Sequence, residues 1–244
     1  MYHHDQYLQE NMKNIRLLFE GQVLHYSLLA VLLTAIIVTS RAEDFLAGEF
    51  LNISTSVWFH LAIAIPIIHQ VLVWFVWRAQ LHFSLITRLF GPKGFKYYYI
   101  VFMLLLISRL VFIIGIAISS KNSLHCNQLL LDGFAFIIAV PTAYLFYSVI
   151  KYFGLKRAVG IDHFDPSYRH EPLVRKGIFR FSNNSMYVFG LLILWLPGLL
   201  CSSTAALLAA LFNHVYIWIH YYSTEKPDMR RIYGCHAAST NSQT

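Results

Sequence analysis

Apolar positions along the chain gather into long runs at 23–40, 57–77, 97–119, 133–153, 187–201 and 204–222. A helix that crosses a bilayer needs roughly 20 predominantly apolar residues. The first four runs predict ordinary spanning helices. Their short connections predict antiparallel neighbours. The fifth run is short and carries Pro197, and Ser202–Ser203 separate it from the sixth. This pattern predicts a helical hairpin. Whether the hairpin spans or re-enters, both its ends stay on one side. The fold class expected is an all-α polytopic membrane protein of about six transmembrane segments, the last two forming the hairpin. Pro66 and Pro141 fall inside spans two and four, where proline bends helices.

The organisation expected is one integral membrane domain over 1–244. Four N-terminal spans occupy 1–153, a polar-to-apolar motif region occupies 154–234, and a flexible tail occupies 235–244. The stretch 154–182 is polar and basic and contains "GIDHFDPSYRHEP". It is too long for an idle connection, since long loops in compact domains tend to carry function. The polar "MYHHDQYLQENMKN" ahead of the first run lacks the layout of a signal peptide.

Composition agrees with a membrane setting: 57% of residues are hydrophobic and 13% charged, against about a quarter charged in soluble domains. The net charge of +7 is unevenly spread. Arg78, Arg88, Lys93 and Lys96 lie between spans two and three. Lys151, Lys156, Arg157, Arg169, Arg175, Lys176 and Arg180 lie between four and five, and Lys226, Arg230 and Arg231 follow the last run. The opposite connections hold Arg41 among Glu43, Asp44 and Glu49, and Lys121 alone. The positive-inside rule then places the basic loops and both termini in the cytoplasm. A bilayer with anionic lipids suits that basic surface. Topology alone accounts for the charge, so nucleic acid is not an expected partner. The cysteines Cys126, Cys201 and Cys235 form neither a disulfide framework nor a metal spacing.

The polar residues that remain are unevenly placed. Asn183 and Asn184 stand at the start of the fifth run, and a hairpin brings them near 224–231. One Asn there can cap a helix; two need a further reason. His214, Trp218, Tyr221 and Glu225 recur at one helical face, which runs about 16 Å from membrane to surface. Trp218 and Tyr221 also suit an interfacial aromatic belt, whereas an ionisable His214 at depth marks function. Asp162, His163 and Asp165 match no standard zinc or calcium loop, so no metal is expected. The membrane histidines His25, His60, His69, His214 and His220 are not arranged as clear haem-ligating pairs. His60, Trp74 and Arg78 share a face of span two, and the plainer reading there is a satisfied histidine and a snorkelling arginine.

"KGIFRFSNNSMYVFG" followed by "TEKPDMRRIYG" resembles the membrane methyltransferases that use S-adenosylmethionine. That superfamily includes isoprenylcysteine carboxyl methyltransferases and phospholipid N-methyltransferases. Its pattern is a Gly-aromatic lead-in, Arg-His-Pro-x-Tyr with a nearby Gly, a helical hairpin and an acidic cluster. Gly177, Phe179, Tyr187 and Gly190 match it. Asn183, Asn184 and Ser185 stand in place of Arg-His-Pro, in the manner of the fungal phosphatidylethanolamine N-methyltransferases. Glu225, Lys226, Pro227, Tyr233 and Gly234 also resemble that group. The resemblance covers about 150–234.

It implies S-adenosyl-L-methionine as cofactor and a membrane lipid as acceptor, most simply the amine headgroup of a phospholipid such as phosphatidylethanolamine. An isoprenylcysteine-type carboxyl acceptor is the alternative. A haem-binding or non-enzymatic membrane protein is the alternative of another class. The cofactor site it implies takes in Asn183, Asn184, Tyr187, Gly190, His214, Trp218, Tyr221 and Glu225. In that site Asn donates to a carboxylate, Glu225 accepts from an ammonium, and an aromatic wall faces the sulfonium. A protonated amine must lose its proton before it can accept a methyl group. His163, Asp162 and Asp228 are the candidates for that catalytic role.

Overall fold

The computed structural model describes residues 2–172, 174–182 and 184–240. The chain is helical almost throughout. Helix α1 (Tyr2–Phe19) precedes α2 (Gln22–Thr39), and a two-residue hairpin of β1 (Glu49–Phe50) and β2 (Ile53–Ser54) leads into α3 (Thr55–Phe83). Helix α4 (Leu85–Phe90) is followed by α5 (Gly94–Ser119) and α6 (Gln128–Ser148), and α6 runs on as a π-helical turn, Val149–Phe153. Four stretches are long and apolar enough to cross a membrane: Leu8–Thr39, Thr55–Phe83, Leu85–Ser119 and Gln128–Phe153. Large apolar side chains such as Val31, Leu104, Phe136 and Ile150 project outward from them, as a lipid-facing surface requires. Pro66 and Pro141 lie inside uninterrupted helices.

The polar connection after Gly154 is a string of short turns: α7 (Leu155–Ala158) and 3-10 segments at Ile161–His163, Pro166–His170 and Gly177–Arg180. The first arm of the hairpin is not one helix. It is α8 (Ser185–Phe189), a 3-10 segment (Gly190–Leu194) and α9 (Leu196–Leu200). The second arm, α10 (Thr204–His220), starts at Ser203, whose side chain accepts from the Ala206 amide at 3.1 Å. Helix α10 continues through a π-helical turn, Tyr221–Glu225, into α11 (Lys226–Thr240). That helix takes in the first part of the segment expected to be an irregular tail; 241–244 lie outside the described residues.

The core is built on α10. Ala205, Ala206, Ala209 and Ala210 are fully buried beside Phe59, Ile113, Ile116, Phe212 and Tyr216. Small residues let helices approach closely where lipid supplies no hydrophobic drive. Helices α2, α3 and α5 pack around this stripe, and α6 is held by the hairpin's first arm. Consecutive helices α5 and α6 scarcely touch each other.

One polar contact joins the ends of this bundle. Pro227 has no N–H to offer the carbonyl four residues back. That carbonyl, of Ser223, instead accepts from Arg78 Nη2 at 3.1 Å, and the Thr224 carbonyl accepts at 3.4 Å. Arg78 Nη1 donates to the Leu18 carbonyl at 3.2 Å and to the Glu20 carbonyl, and Nε lies 3.2 Å from both carboxylate oxygens of Asp228. Arg78 and Asp228 are both fully buried. The side chain expected to snorkel is therefore an interior hub. It is held inside because five carbonyl and carboxylate partners replace the water it would otherwise seek. Gly21, at φ 75°, makes the bend between α1 and α2, and a Cβ there would lie 2.5 Å from the Ser223 carbonyl oxygen.

Leaving one member of a buried ion pair alone costs about 3–5 kcal/mol. Arg78→Met is expected to lower the melting temperature of the detergent-solubilised protein by that equivalent. Adding Asp228→Leu should restore at least half of the loss, and a single mutant that melts like the wild type would contradict the hub.

Candidate active site

The hairpin's first arm is seated by hydroxyl groups. Ser148 Oγ accepts from the Ile178 amide at 3.1 Å, and Ser185 Oγ donates to the carbonyls of Ile178 (3.1 Å) and Ser182 (2.6 Å). The "GIF" lead-in is thereby tied to the end of α6 on one side and to the start of α8 on the other. Asn184 occupies the N-cap position of α8. Its carbonyl accepts from the amides of Tyr187 and Val188, both at 3.0 Å, but its side chain makes no capping bond. The side chain is instead in reach of the Tyr221 phenol. Asn183 lies outside the described residues.

One turn further on, Tyr187 donates its hydroxyl to Glu225 Oε2. Its ring lies 5.9 Å from Trp218 and 5.5 Å from Tyr221, and those two rings lie 5.6 Å apart. The two arms thus meet in an aromatic trio with a carboxyl group at its edge. The π-helical turn at 221–225 matters here, because the extra residue re-aims every side chain after it. It faces Glu225 toward Tyr187.

Behind this trio is a cavity of about 420 Å³, within the usual size of ligand sites. One wall is α3 and α5, with His69, Trp77, Phe102, Leu106 and Arg109. The other is α6 and the hairpin, with Leu145, Val149, Met186, Tyr187 and Gly190; Glu225 and His220 complete it. Gly190 is required by packing, since a Cβ there would sit 2.8 Å from a Leu145 methyl. Between α5 and α6 the lining residues Leu106, Ile107 and Phe146 are also exposed on the outer surface. The cavity therefore opens sideways toward the lipid-facing surface, because α5 and α6 do not pack on each other.

A second polar group lies beside the cavity rather than in it. His163 Nδ1 is 3.3 Å from Asp162 Oδ1, and His163 Nε2 is 4.0 Å from Asp228 Oδ2. Asp162 Oδ2 accepts from the Tyr233 hydroxyl at 2.8 Å, and Arg231 lies 3.0 Å from Asp228. His163 stacks on Trp77, with ring centroids 4.3 Å apart. Trp77 lines the cavity and His163 does not. Burial opposes ionisation of Asp162, yet the neighbouring His163 and Tyr233 hold its carboxyl below its ordinary range.

Glu225 behaves in the opposite way. Its apolar enclosure pushes its pKa up to about 7, against the pull of the Tyr187 hydrogen bond and the nearby His163. A carboxyl tuned to that range can exchange protons at neutral pH.

The residues expected from sequence therefore separate into three places. Asn184, Tyr187, Gly190, Trp218, Tyr221 and Glu225 lie together around the hairpin. Asp162, His163 and Asp228 lie together behind Trp77. His214 joins neither group: it accepts from the Trp195 indole N–H at 3.2 Å, within the hairpin itself. It sits one turn before Trp218 on α10, and its imidazole is held by Trp195 of the first arm instead. His60, Trp74 and Arg78 do not line the cavity either. Arg109, His69 and His220 also line the cavity, although no sequence motif marks them as site residues. The available signal was an arginine inside the apolar run 97–119, where a charge is costly unless it has a function.

The cavity has Tyr187 and Glu225 in its lining, while Trp218 and Tyr221 stand behind Tyr187 and outside it; a cavity that opens toward lipid suits a membrane-embedded ligand. Residues 131–236 match the family model described as phospholipid methyltransferase. No curated protein and no solved structure matches the chain. The match covers the C-terminal part of the chain and, with four helices long and apolar enough to cross a membrane, is consistent with the membrane methyltransferase superfamily and with methyl transfer to a membrane lipid.

The Glu225 pKa carries a stability consequence. It rises from 4.5 to about 7 on folding, so the native state holds this proton more tightly than the unfolded chain. Stability from this group is fully present below pH 4.5 and is lost as pH rises to about 7, by about 3 kcal/mol at most. Glu225→Gln should melt like the wild type near pH 4 and several degrees higher at pH 8. Equal melting temperatures at both pH values would contradict the buried-carboxyl assignment.

Proposed function

We propose that this protein methylates the amine headgroup of a phospholipid such as phosphatidylethanolamine at the cytoplasmic face, with both termini on that side. The carrying observation is Glu225, a carboxyl poised near neutrality at the edge of a cavity that opens toward lipid. S-adenosyl-L-methionine would supply an electrophilic methyl group on a sulfonium.

The chemistry of the residues present fits that cofactor. Tyr187, Trp218 and Tyr221 present aromatic faces to a cation, worth about 0.5–2 kcal/mol. The Asn184 amide beside them can donate to a carboxylate, and Asn183 would share that task. Gly190 keeps the wall low where the hairpin meets α6. His214 has no part in this site, because its imidazole is committed to Trp195.

Glu225 takes the proton of the acceptor ammonium. The resemblance assigns it instead to the cofactor's ammonium, but it is the only carboxylate among the cavity-lining residues described. Asp162, His163 and Asp228 position rather than react: they fix Trp77 and the 221–228 backbone from outside the cavity. A carboxylate facing the cavity also disfavours an anionic acceptor such as an isoprenylcysteine carboxylate.

Methyl transfer from labelled cofactor should reach phosphatidylethanolamine and not a farnesylated cysteine. Label only in the latter overturns the phospholipid reading. Glu225→Gln should lower turnover 10²-fold or more, as loss of a general base does, while S-adenosylhomocysteine affinity in calorimetry changes less than threefold. A tenfold loss of that affinity would return Glu225 to the cofactor.

A further inference from the structure

Arg109 stands near the middle of α5, about 22 Å along the helix from Gly94. It is 2% exposed. Its Nε and Nη2 have no hydrogen-bond partner, and it forms no ion pair among the described residues. Both ring nitrogens of His69 and of His220 are also without partners. All three side chains line the one cavity, and Arg109 is within electrostatic range of both histidines. Arg78, the other fully buried arginine, has its nitrogens bonded to a carboxylate and four carbonyls. The two arginines share a bundle, and only one has its counter-ion built in.

A guanidinium left uncompensated in a membrane interior is expensive, and such groups pair or mark a ligand pathway. An anion entering the cavity would supply the missing partner. Guanidinium groups match phosphate oxygens with two parallel N–H···O bonds, and neutral imidazole N–H groups beside them can add donors. Two anions are available to a phospholipid methyltransferase: the cofactor's carboxylate and the lipid's phosphodiester. The residues suited to the cofactor, Asn184, Tyr187 and Tyr221, are on the hairpin. Arg109 and His69 are on the opposite wall, and His220 joins them in the lining from the end of α10; Arg109 lies one turn from Leu106 and next to Leu110, on the side that opens between α5 and α6.

We infer that Arg109, with His69 and His220, is the binding site for the phosphodiester of the lipid acceptor. A lipid held there still carries its amine in the same cavity as Glu225. The inference rests on the cavity being the acceptor's site, as proposed above.

Binding rather than turnover tests it. The probes are a short-chain phosphatidylethanolamine, an alkyl amine of matching chain length without phosphate, and S-adenosylhomocysteine, each titrated into wild type, Arg109→Gln and Arg109→Lys in detergent. Arg109→Gln should weaken phosphatidylethanolamine at least tenfold and shift the other two less than twofold. Arg109→Lys, which keeps the charge but loses the paired N–H···O geometry, should fall between wild type and Arg109→Gln for phosphatidylethanolamine, leave the other two probes within about twofold, and serves if the Gln variant does not fold. A tenfold loss of S-adenosylhomocysteine affinity with lipid binding intact assigns Arg109 to the cofactor and overturns the inference. An equal loss for the alkyl amine, no change for any probe, or a Lys variant as weak toward the phospholipid as one without charge also overturns it. Failure of methyl transfer with these binding results intact would remove the proposed activity and leave the phosphodiester site standing.

Discussion

The architecture depends on one buried guanidinium. Arg78 has been taken out of water inside a membrane protein, and it is tolerable there only because every direction it points holds an oxygen. Those oxygens come from the end of α1, the π-helical turn and α11. The N-terminal helix, the third helix and the chain after the hairpin are therefore locked to a common point. Neighbouring contacts extend the lock. Gln22 donates to Thr224 at 3.2 Å, His25 and Tyr216 lie 2.9 Å apart, and Arg231 pairs with Glu20. Because two of the oxygens Arg78 needs are the Ser223 and Thr224 carbonyls, in the π-helical turn just before Pro227, the irregularity of the last helix is part of the same interaction.

That irregularity positions the reacting end of the site. The turn at 221–225 rotates Glu225 toward Tyr187, while the hub beneath it holds the backbone on the opposite side. Glu225 can then remain in apolar surroundings, with one hydrogen bond from Tyr187, at a pKa that an exposed carboxyl would not have. The cluster of Asp162, His163 and Asp228 reaches the cavity only through Trp77. It supports the wall, and the chemistry we propose belongs to the residues in front of that wall. The same division explains the two arginines. Arg78 is structural because its partners are supplied within the fold, and Arg109 faces the cavity without one.

Several features were legible along the chain. The six apolar runs, the hairpin after Asn184 and the meeting of "FSNNSMYVFG" with "STEKPDMRRIYG" follow from periodicity and loop length. The family resemblance rests on two short motifs in order, and the match over 131–236 agrees with it. The first arm of the hairpin was legible as short and proline-bearing, but its division into three pieces was not. The snorkelling reading of Arg78 failed because a snorkelling arginine and a hub arginine look alike in sequence. Which one forms depends on whether distant carbonyls arrive. The pairing of His214 with Trp195 was hidden for a related reason: helical spacing places a side chain on a face but does not say which group of the facing arm it meets.

The sequence by itself determined that this chain lives in a membrane, that it is helical, and that its polar motifs converge at one end of a hairpin. Hydrophobic length and local residue type are enough for those conclusions, since they are properties of single segments. The tertiary structure alone decided which buried charges are satisfied, where the cavity opens, and which carboxyl faces it. Those outcomes depend on groups from separate helices meeting within hydrogen-bond distance, and on α5 and α6 scarcely touching. No single segment carries that information.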